Sequence, residues 1–375
     1  MTAQDPSRPT IAFAGGGTGG HIYPNVGIAQ ALVKRAPGAA VSFVVSDRPG
    51  DAKTMGALGY DWIASGARPL PNLRKPTTAV PFLSGWTRGS VQAISAFRRA
   101  KVSAVVATGG FVSGPAVVAA RMLGIPAVMV NLDAIPGASN RAMVRLCRKV
   151  FTAYASDLLP GAEVVGLPLR DASVGETSPE AARTALGLDP KRHTLMITGA
   201  THGAESIINA MMALLSDDAT LVRALDGWQV LHQCGTFDVG TLQRAYDDAG
   251  VTARAVDYLP TMGAAYAAAD LVVSRSGAGS VAEAWANGCP TVFLPNPYHS
   301  DQHQRHNALP MVNAGGAVLV TDHVDAAANV KELGPALTRR LQDAALRKTM
   351  RHAAMTSRPP DGAAAVAQWL LANLP

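Results

Sequence analysis

The stretch Leu271–Asn307, LVVSRSGAGSVAEAWANGCPTVFLPNPYHSDQHQRHN, decides how the rest of the chain is read. Leu271–Val273 is an apolar run of strand length, Ser274–Gly279 is a turn of small residues, and Ser280–Asn287 continues as a helix. Thr291–Leu294 is the next buried strand, followed by a polar loop dense in His, Asp and Gln. A strand, a glycine turn and a helix in that order set backbone N–H groups at a helix N-terminus, where an anion can sit. Glu283, expected in the first turn of that helix, would favour the helix dipole but repel a bare phosphate. It is better suited to accept hydrogen bonds from a sugar diol. The loop after the second strand would bring Asp301, His303 and Gln304 to the same place. The pattern suits a nucleotide joined to a sugar.

Working outward, the same grammar recurs. Ile11–Ala14 runs into Gly15-Gly16-Gly17-Thr18-Gly19-Gly20-His21 and then a helix to about Arg35. Val102–Ala107 runs into Thr108-Gly109-Gly110-Phe111-Val112-Ser113-Gly114, and Thr194–Ile197 into Thr198-Gly199-Ala200-Thr201-His202-Gly203. Further apolar runs at 41–45, 127–130, 150–153, 162–165, 228–232 and 253–257 complete two similar halves. Strands alternating with helices at this spacing imply parallel, doubly wound sheets, whose ligands bind outside the carboxyl ends of the strands. The expected fold is α/β, with two Rossmann-like domains facing across a cleft. The linker falls in 166–181, rich in Pro, Gly, Ser and Thr. Domains of 1–170 and 171–359 follow, with a terminal helix in 360–375 packing back on the first.

Composition bounds the possibilities. A chain of 375 residues, 48% hydrophobic, is long enough for two full cores. Its three scattered cysteines form neither a disulfide framework nor a Cys-x-x-Cys site, which points to a reducing compartment. The polar N-terminus lacks the plan of a signal peptide, and no apolar run approaches the roughly 20 residues needed to span a bilayer. A net charge of +6 is modest for the length, and nucleic acid is not an expected partner. Residues 68–99 differ from the rest. Four prolines, at 69, 71, 76 and 81, suggest irregular structure first. Val80, Phe82, Leu83 and Trp86 stand among Arg74, Lys75, Arg88, Arg98 and Arg99. Apolar side chains ringed by cations suit an anionic membrane surface; a helix packed on its own domain with a solvated basic face is the plainer alternative.

The chemistry narrows as follows. Gly15-x-Gly17-x-x-Gly20 satisfies the dinucleotide fingerprint, so an NAD(P)-dependent oxidoreductase has to be weighed, as does a glycine turn with no ligand. His21 closes that loop and is a suitable general base for a hydroxyl nucleophile; capping the local backbone is its plain alternative. Arg170, after Gly166-Leu167-Pro168-Leu169, and the Thr201 hydroxyl are candidate partners for a diphosphate. His299, Asp301, His303 and His306 invite a metal, but His-Glu-x-x-His and Asp-x-Asp are both missing. Neither a metal nor a cofactor is expected, and no Walker A sequence is present.

Taken together, GGGTGGHIYP (15–24), TGGFVSGP (108–115), PGASNR (136–141), VVGLPLR (164–170), HQCG (232–235), YLPTMGAAYAAAD (258–270), SRSGAGSVAEAWANG (274–288) and DQHQRHNA (301–308) resemble the MurG-type glycosyltransferases from Ile11 to about Val320. The resemblance implies the two-domain GT-B fold and transfer of N-acetylglucosamine from UDP-N-acetylglucosamine to a polyprenyl-diphosphate-linked muramyl-pentapeptide, in peptidoglycan synthesis. It implies His21 as base, with Thr18, Gly19, Gly20, Gly109, Gly110, Ser113 and Asn140 around the acceptor. On the donor side it implies Arg170 and Thr201 for the diphosphate, Met262 near the uracil, and Ser276 and Gly277 at the helix start. Glu283 falls on the ribose, and His303 and Gln304 on the sugar. It also implies peripheral association with the cytoplasmic face of the cell membrane. Two departures stand out: Asp133 replaces an Asn that contacts the donor sugar, and His202 replaces a Gln. These changes motivate a MurG-like transferase with another sugar or acceptor as one alternative; a silent nucleotide-sugar or lipid-binding protein at the membrane is another.

Overall fold

The computed structural model describes residues 9–71, 76–199 and 204–374. The chain divides into two compact units, Met1–Arg170 with Pro360–Pro375, and Asp171–Pro359.

The first unit carries seven parallel strands: β1 (Thr10–Ala14), β2 (Ala40–Ser46), β3 (Trp62–Ser65), β4 (Ala104–Ala107), β5 (Ala127–Asn131), β6 (Lys149–Thr152) and β7 (Glu163–Val164). They lie in the order β3-β2-β1-β4-β5-β6-β7. β1, β4 and β5 are buried along their whole length. A parallel strand covered by helices on both faces is apolar at every position, which is why these runs are continuous rather than alternating. The sequence order reverses between β1 and β4, so the loops after these two strands flank the switch point where α/β sheets hold ligands. The terminal helix Gly362–Asn373 belongs to this unit. Asp361 caps it, accepting from Ala363 N–H and Ala364 N–H, and Trp369 meets Phe151 edge-on at 6.0 Å.

The second unit repeats the plan with β8 (His193–Thr198), β9 (Trp228–Gln233), β10 (Ala253–Val256), β11 (Leu271–Ser274), β12 (Thr291–Phe293) and β13 (Ala317–Leu319). All pairings are parallel, in the order β10-β9-β8-β11-β12-β13. Here the switch point lies between β8 and β11.

Three expectations need correction. The helix after β11 is Ala278–Ala286, capped by Gly277 in an extended conformation. Small residues enter the helix two positions early, which puts Glu283 in the second turn. The irregular structure expected first in 68–99 ends sooner than its four prolines suggest: Ala79–Arg99 is one helix that includes Pro81. Its Pro81 falls in the first turn, where no N–H is missed. The helix buries Gly85, Gly89, Ala93 and Phe97, one face at i, i+4 spacing. Arg74 and Lys75 lie outside the described residues. Finally, β3 and β13 were not anticipated. Both are edge strands.

Candidate functional site

In the first unit three loops converge on His21. The helix Gly19–Arg35 begins in the glycine loop after Thr18, its N-cap, so Gly19, Gly20 and His21 form its first turn. The His21 ring is fixed by the loop after β4, with Nδ1 3.1 Å from the Thr108 carbonyl oxygen. A carbonyl only accepts, so Nδ1 carries the hydrogen and Nε2 keeps its lone pair. Thr108 Oγ1 donates to the His21 carbonyl at 2.7 Å and locks the same two segments from the other side.

Gly109 and Gly110 have φ of +102° and +75°, where side chains are strained. A Cβ on Gly110 would fall 2.8 Å from the Gly16 carbonyl oxygen and 3.1 Å from His21 Cδ2. A Cβ on Gly109 would fall 3.0 Å from Asn140 Oδ1. The two glycines thus let this loop approach the imidazole and Asn140. Ser113 shapes the loop: its Oγ accepts from Gly109 N–H at 3.0 Å and lies 2.6 Å from the Gly109 carbonyl. The third loop enters through Asn140, whose Nδ2 donates to Asn131 Oδ1 at 3.0 Å. Asn131 in turn donates to Thr152 Oγ1 at 3.1 Å and to the Asp133 carbonyl at 2.7 Å.

Desolvation holds the His21 pKa below its ordinary value. The charges of Asp133 and Asp51 and the Thr108 carbonyl pull it part of the way back. The ring is therefore neutral near pH 7, as a base requires. Sequence reading missed Asp51. Its buried carboxylate accepts from Gly17 N–H at 2.6 Å and from Ser46 N–H and Oγ–H, pinning the glycine loop to the end of β2.

Arg170 also belongs to the first unit. It is buried, its guanidinium stacks over the Tyr23 ring at 3.9 Å, and its Nε has no hydrogen-bond partner among the described residues. The other donor-side candidates belong to the second unit.

In that unit Ser276, Gly277, Gln304 and Asn307 come together. Ser276 is fully buried and its Oγ has no hydrogen-bond partner among the described residues; its carbonyl accepts from Asn307 Nδ2 at 3.4 Å. The Gln304 amide nitrogen lies 4.0 Å from where a Cβ on Gly277 would stand, and its Oε1 accepts from Asn296 N–H at 2.9 Å. His303 opens the helix His303–Asn313. Asp301 Oδ1 takes its Nδ1–H at 2.8 Å and its backbone N–H at 3.2 Å. One oxygen of Glu283 accepts from Ser173 Oγ at 2.7 Å, and Asn287 below it holds the Ser173 carbonyl at 2.9 Å. The 173–175 segment is thereby seated on the Glu283 helix. Met262 is half-buried at the start of the helix Met262–Ala268. Thr201 and His202 lie outside the described residues. Among the described residues no group of three His, Cys, Asp or Glu is placed to hold a metal ion.

Comparison with known proteins identifies the family. The glycosyltransferase family 28 N-terminal domain matches residues 11–152, and the family 28 C-terminal domain matches residues 194–366. A protein of Nocardioides sp. described as UDP-N-acetylglucosamine–N-acetylmuramyl-(pentapeptide) pyrophosphoryl-undecaprenol N-acetylglucosamine transferase is 37% identical over 316 residues, 83% of this chain and 84% of that one. One of the same description from Acidothermus cellulolyticus is 38% identical over 319 residues, again 83% and 84%. The crystal structure of Acinetobacter baumannii MurG shares the fold, with a TM-score of 0.71 over 98% of this chain and 100% of that one, at 22% identity. With both halves matched in sequence and the two-domain GT-B fold shared, this chain belongs to glycosyltransferase family 28, in the MurG group.

Proposed function

We propose that this protein is an inverting transferase that moves N-acetylglucosamine from UDP-N-acetylglucosamine to a polyprenyl-diphosphate-linked muramyl-pentapeptide. The observation that carries the reading is the similarity, across both units, to relatives named for that transfer. In this reading His21 Nε2 takes the proton of the acceptor hydroxyl as its oxygen attacks the anomeric carbon, and UDP leaves with the bonding electrons. Thr18, Gly19, Gly20, Gly109, Gly110 and Asn140 line the acceptor side, with Ser113 holding their loop. Arg170, Thr201 and the helix N-terminus at Gly277 offset the charge on the departing diphosphate. Met262 lies by the uracil, Glu283 takes the ribose hydroxyls, and His303 and Gln304 take the sugar.

Local features support these roles. Of five buried polar side-chain atoms without a partner among the described residues, two, Ser276 Oγ and Arg170 Nε, fall on residues assigned to the donor. Buried polar groups are rarely left unpaired, so such orphans fit a ligand that completes them. Peripheral attachment to the cytoplasmic membrane face rests on the helix Ala79–Arg99. It leaves Val80, Leu83 and Val91 more than half exposed and carries Arg98 and Arg99 in its last turn.

A narrower second reading keeps the chemistry and changes the sugar or the acceptor. Asp133, a carboxylate where the resemblance places an amide, favours it. Transfer assays with UDP-N-acetylglucosamine, UDP-N-acetylgalactosamine and UDP-glucose on lipid-linked muramyl acceptors separate the two. Product only with the first sugar supports the main reading, and a preference for another sugar supports the second. Absence of any transfer, with NAD(P) bound in place of UDP, would overturn both.

A further inference from the structure

Arg275 sits between Ser274, which ends β11, and Ser276, yet its side chain makes no contribution to the roles assigned above. Its guanidinium pairs with the Asp322 carboxylate and donates to Ser206 Oγ at 2.7 Å and to the Leu294 carbonyl at 3.0 Å. Ser206 Oγ–H closes the triangle, donating to Asp322 Oδ2 at 2.6 Å. The other Asp322 oxygen accepts from Asn329 Nδ2 at 2.9 Å and from Val324 N–H at 2.8 Å. The pair is shut away from water, with side-chain exposures of 11% for Arg275 and 0% for Asp322.

We propose that Arg275, Asp322 and Ser206 form a positioning clamp that sets the nucleotide-sugar site of the second unit. The partners come from the segments that follow β8, β11, β12 and β13, four neighbouring strand ends on the ligand-binding edge of the sheet. The clamp fixes Arg275, next to the unpaired Ser276 hydroxyl and the Gly277 helix cap. Through Leu294 it fixes the start of the loop that leads to His303 and Gln304. Stability alone is a weak reason for such a feature, since desolvating a buried ion pair can cost as much as the pairing returns. The backbone shows the same over-determination. Val324, a β-branched residue, is held at φ +66° with its N–H on Asp322, a strained conformation that persists only where its surroundings impose it. Burial would raise the Asp322 pKa, but hydrogen bonds from Ser206, Asn329 and the Val324 backbone, with the Arg275 charge, hold it below the usual range. The clamp therefore stays ionised at working pH.

The inference rests on the nucleotide-sugar reading of this unit, and the test separates the two. UDP affinity is measured by calorimetry on the full-length wild type, Arg275→Lys and Ser206→Ala, together with kcat, the KM for each substrate and the melting temperature. Lysine keeps the charge but lacks the planar fork whose two nitrogens reach Asp322 with Leu294 and Ser206 separately, so UDP Kd and donor KM should rise about tenfold. The acceptor KM should be unchanged, and kcat at saturating donor should be nearly so. Loss of the single bridging hydroxyl in Ser206→Ala should weaken UDP about threefold. Unchanged UDP affinity in both variants, beside a wild type that binds UDP, would overturn the clamp. Should Arg275→Lys fail to fold, an unchanged affinity in Ser206→Ala overturns it alone. A wild type that does not bind UDP sinks the underlying reading instead.

Discussion

The loops after β4 and β11 occupy equivalent places in their sheets and are built by opposite means. The loop after β4 takes its shape from backbone conformation: Gly109 and Gly110 both have positive φ, and a Cβ on Gly110 would press against the Gly16 carbonyl. The turn after β11, residues 275–277, contains no residue of positive φ. Gly277 there has φ −60°, open to any residue, and shape comes from side chains, with Arg275 tied to three other segments. A ligand held by a backbone surface meets amides and one directed imidazole. A ligand held by side chains meets chemistry that can be altered one group at a time. In the proposed reading the first suits a phosphate-bearing acceptor and the second the selection of a particular sugar.

The largest expected effect strikes the directed imidazole. His21→Ala should lower kcat by about 10²–10⁴-fold, the usual worth of a positioned general base. UDP affinity, proposed to rest on Arg170 and on residues of the second unit rather than on His21, should stay at the wild-type value in calorimetry. Full turnover in the variant removes His21 as base. Lost UDP affinity with intact folding would break the division of labour between the two loops.

A paired substitution sharpens the contrast at a lower magnitude. Gly110→Ala forces a side chain into positive φ, costing roughly 1–2 kcal/mol before the clash with Gly16 is added. It should lower the melting temperature and cut acceptor turnover together. Among the described residues Gly277→Ala meets Gln304 alone, at 4.0 Å, and should cost no more than about 1 kcal/mol of stability as a change of helix cap. Its donor KM should nevertheless rise, because the new methyl stands where the nucleotide sugar is proposed to lie. Equal melting losses in the two variants would erase the distinction between backbone-built and side-chain-built loops. An unchanged donor KM in Gly277→Ala would move the donor elsewhere.

The two means of construction also decide what could be read in advance. Glycine loops after apolar runs are local in sequence, so His21, Gly109 and Gly110 stood out, and the central strands declared themselves as unbroken apolar stretches. The edge strands did not. β3 is the short run WIAS with Ala64 exposed, and β13 is three residues with only Ala317 buried. Neither has the continuous burial that makes a central strand legible. Long-range polar pairs were equally silent: Arg275 and Asp322 are 47 positions apart, and Asp51 and Gly17 are 34 apart. No spacing rule links such residues, because the sheet brings them together. The start of the Glu283 helix was misplaced for a related reason, since Ala278 and Gly279 resemble a turn until Gly277 is seen to cap them.

The smallest effect tests whether a chain-specific side chain acts on the backbone-built site. Asp133 contributes a charge that raises the His21 pKa against desolvation, the dominant cause of its depression. Asp133→Asn should therefore lower the His21 pKa further. A base works only when unprotonated, so kcat/KM climbs with pH through that pKa, and its acidic limb should move to lower pH in the variant. The plateau should fall slightly, because a weaker base takes a proton less readily. Tyr154 cannot mimic the change: burial first, and the Asp133 charge second, push its pKa up, so it stays protonated throughout. Linkage gives a second check of the same sign. A histidine whose folded pKa is depressed loses stability as pH falls below its unfolded value, near 6.5, and the variant should lose it over a wider range. An acidic limb that stays in place, measured at saturating acceptor with UDP-N-acetylglucosamine varied, would show that Asp133 does not reach the imidazole. Its departure from asparagine would then concern the sugar alone.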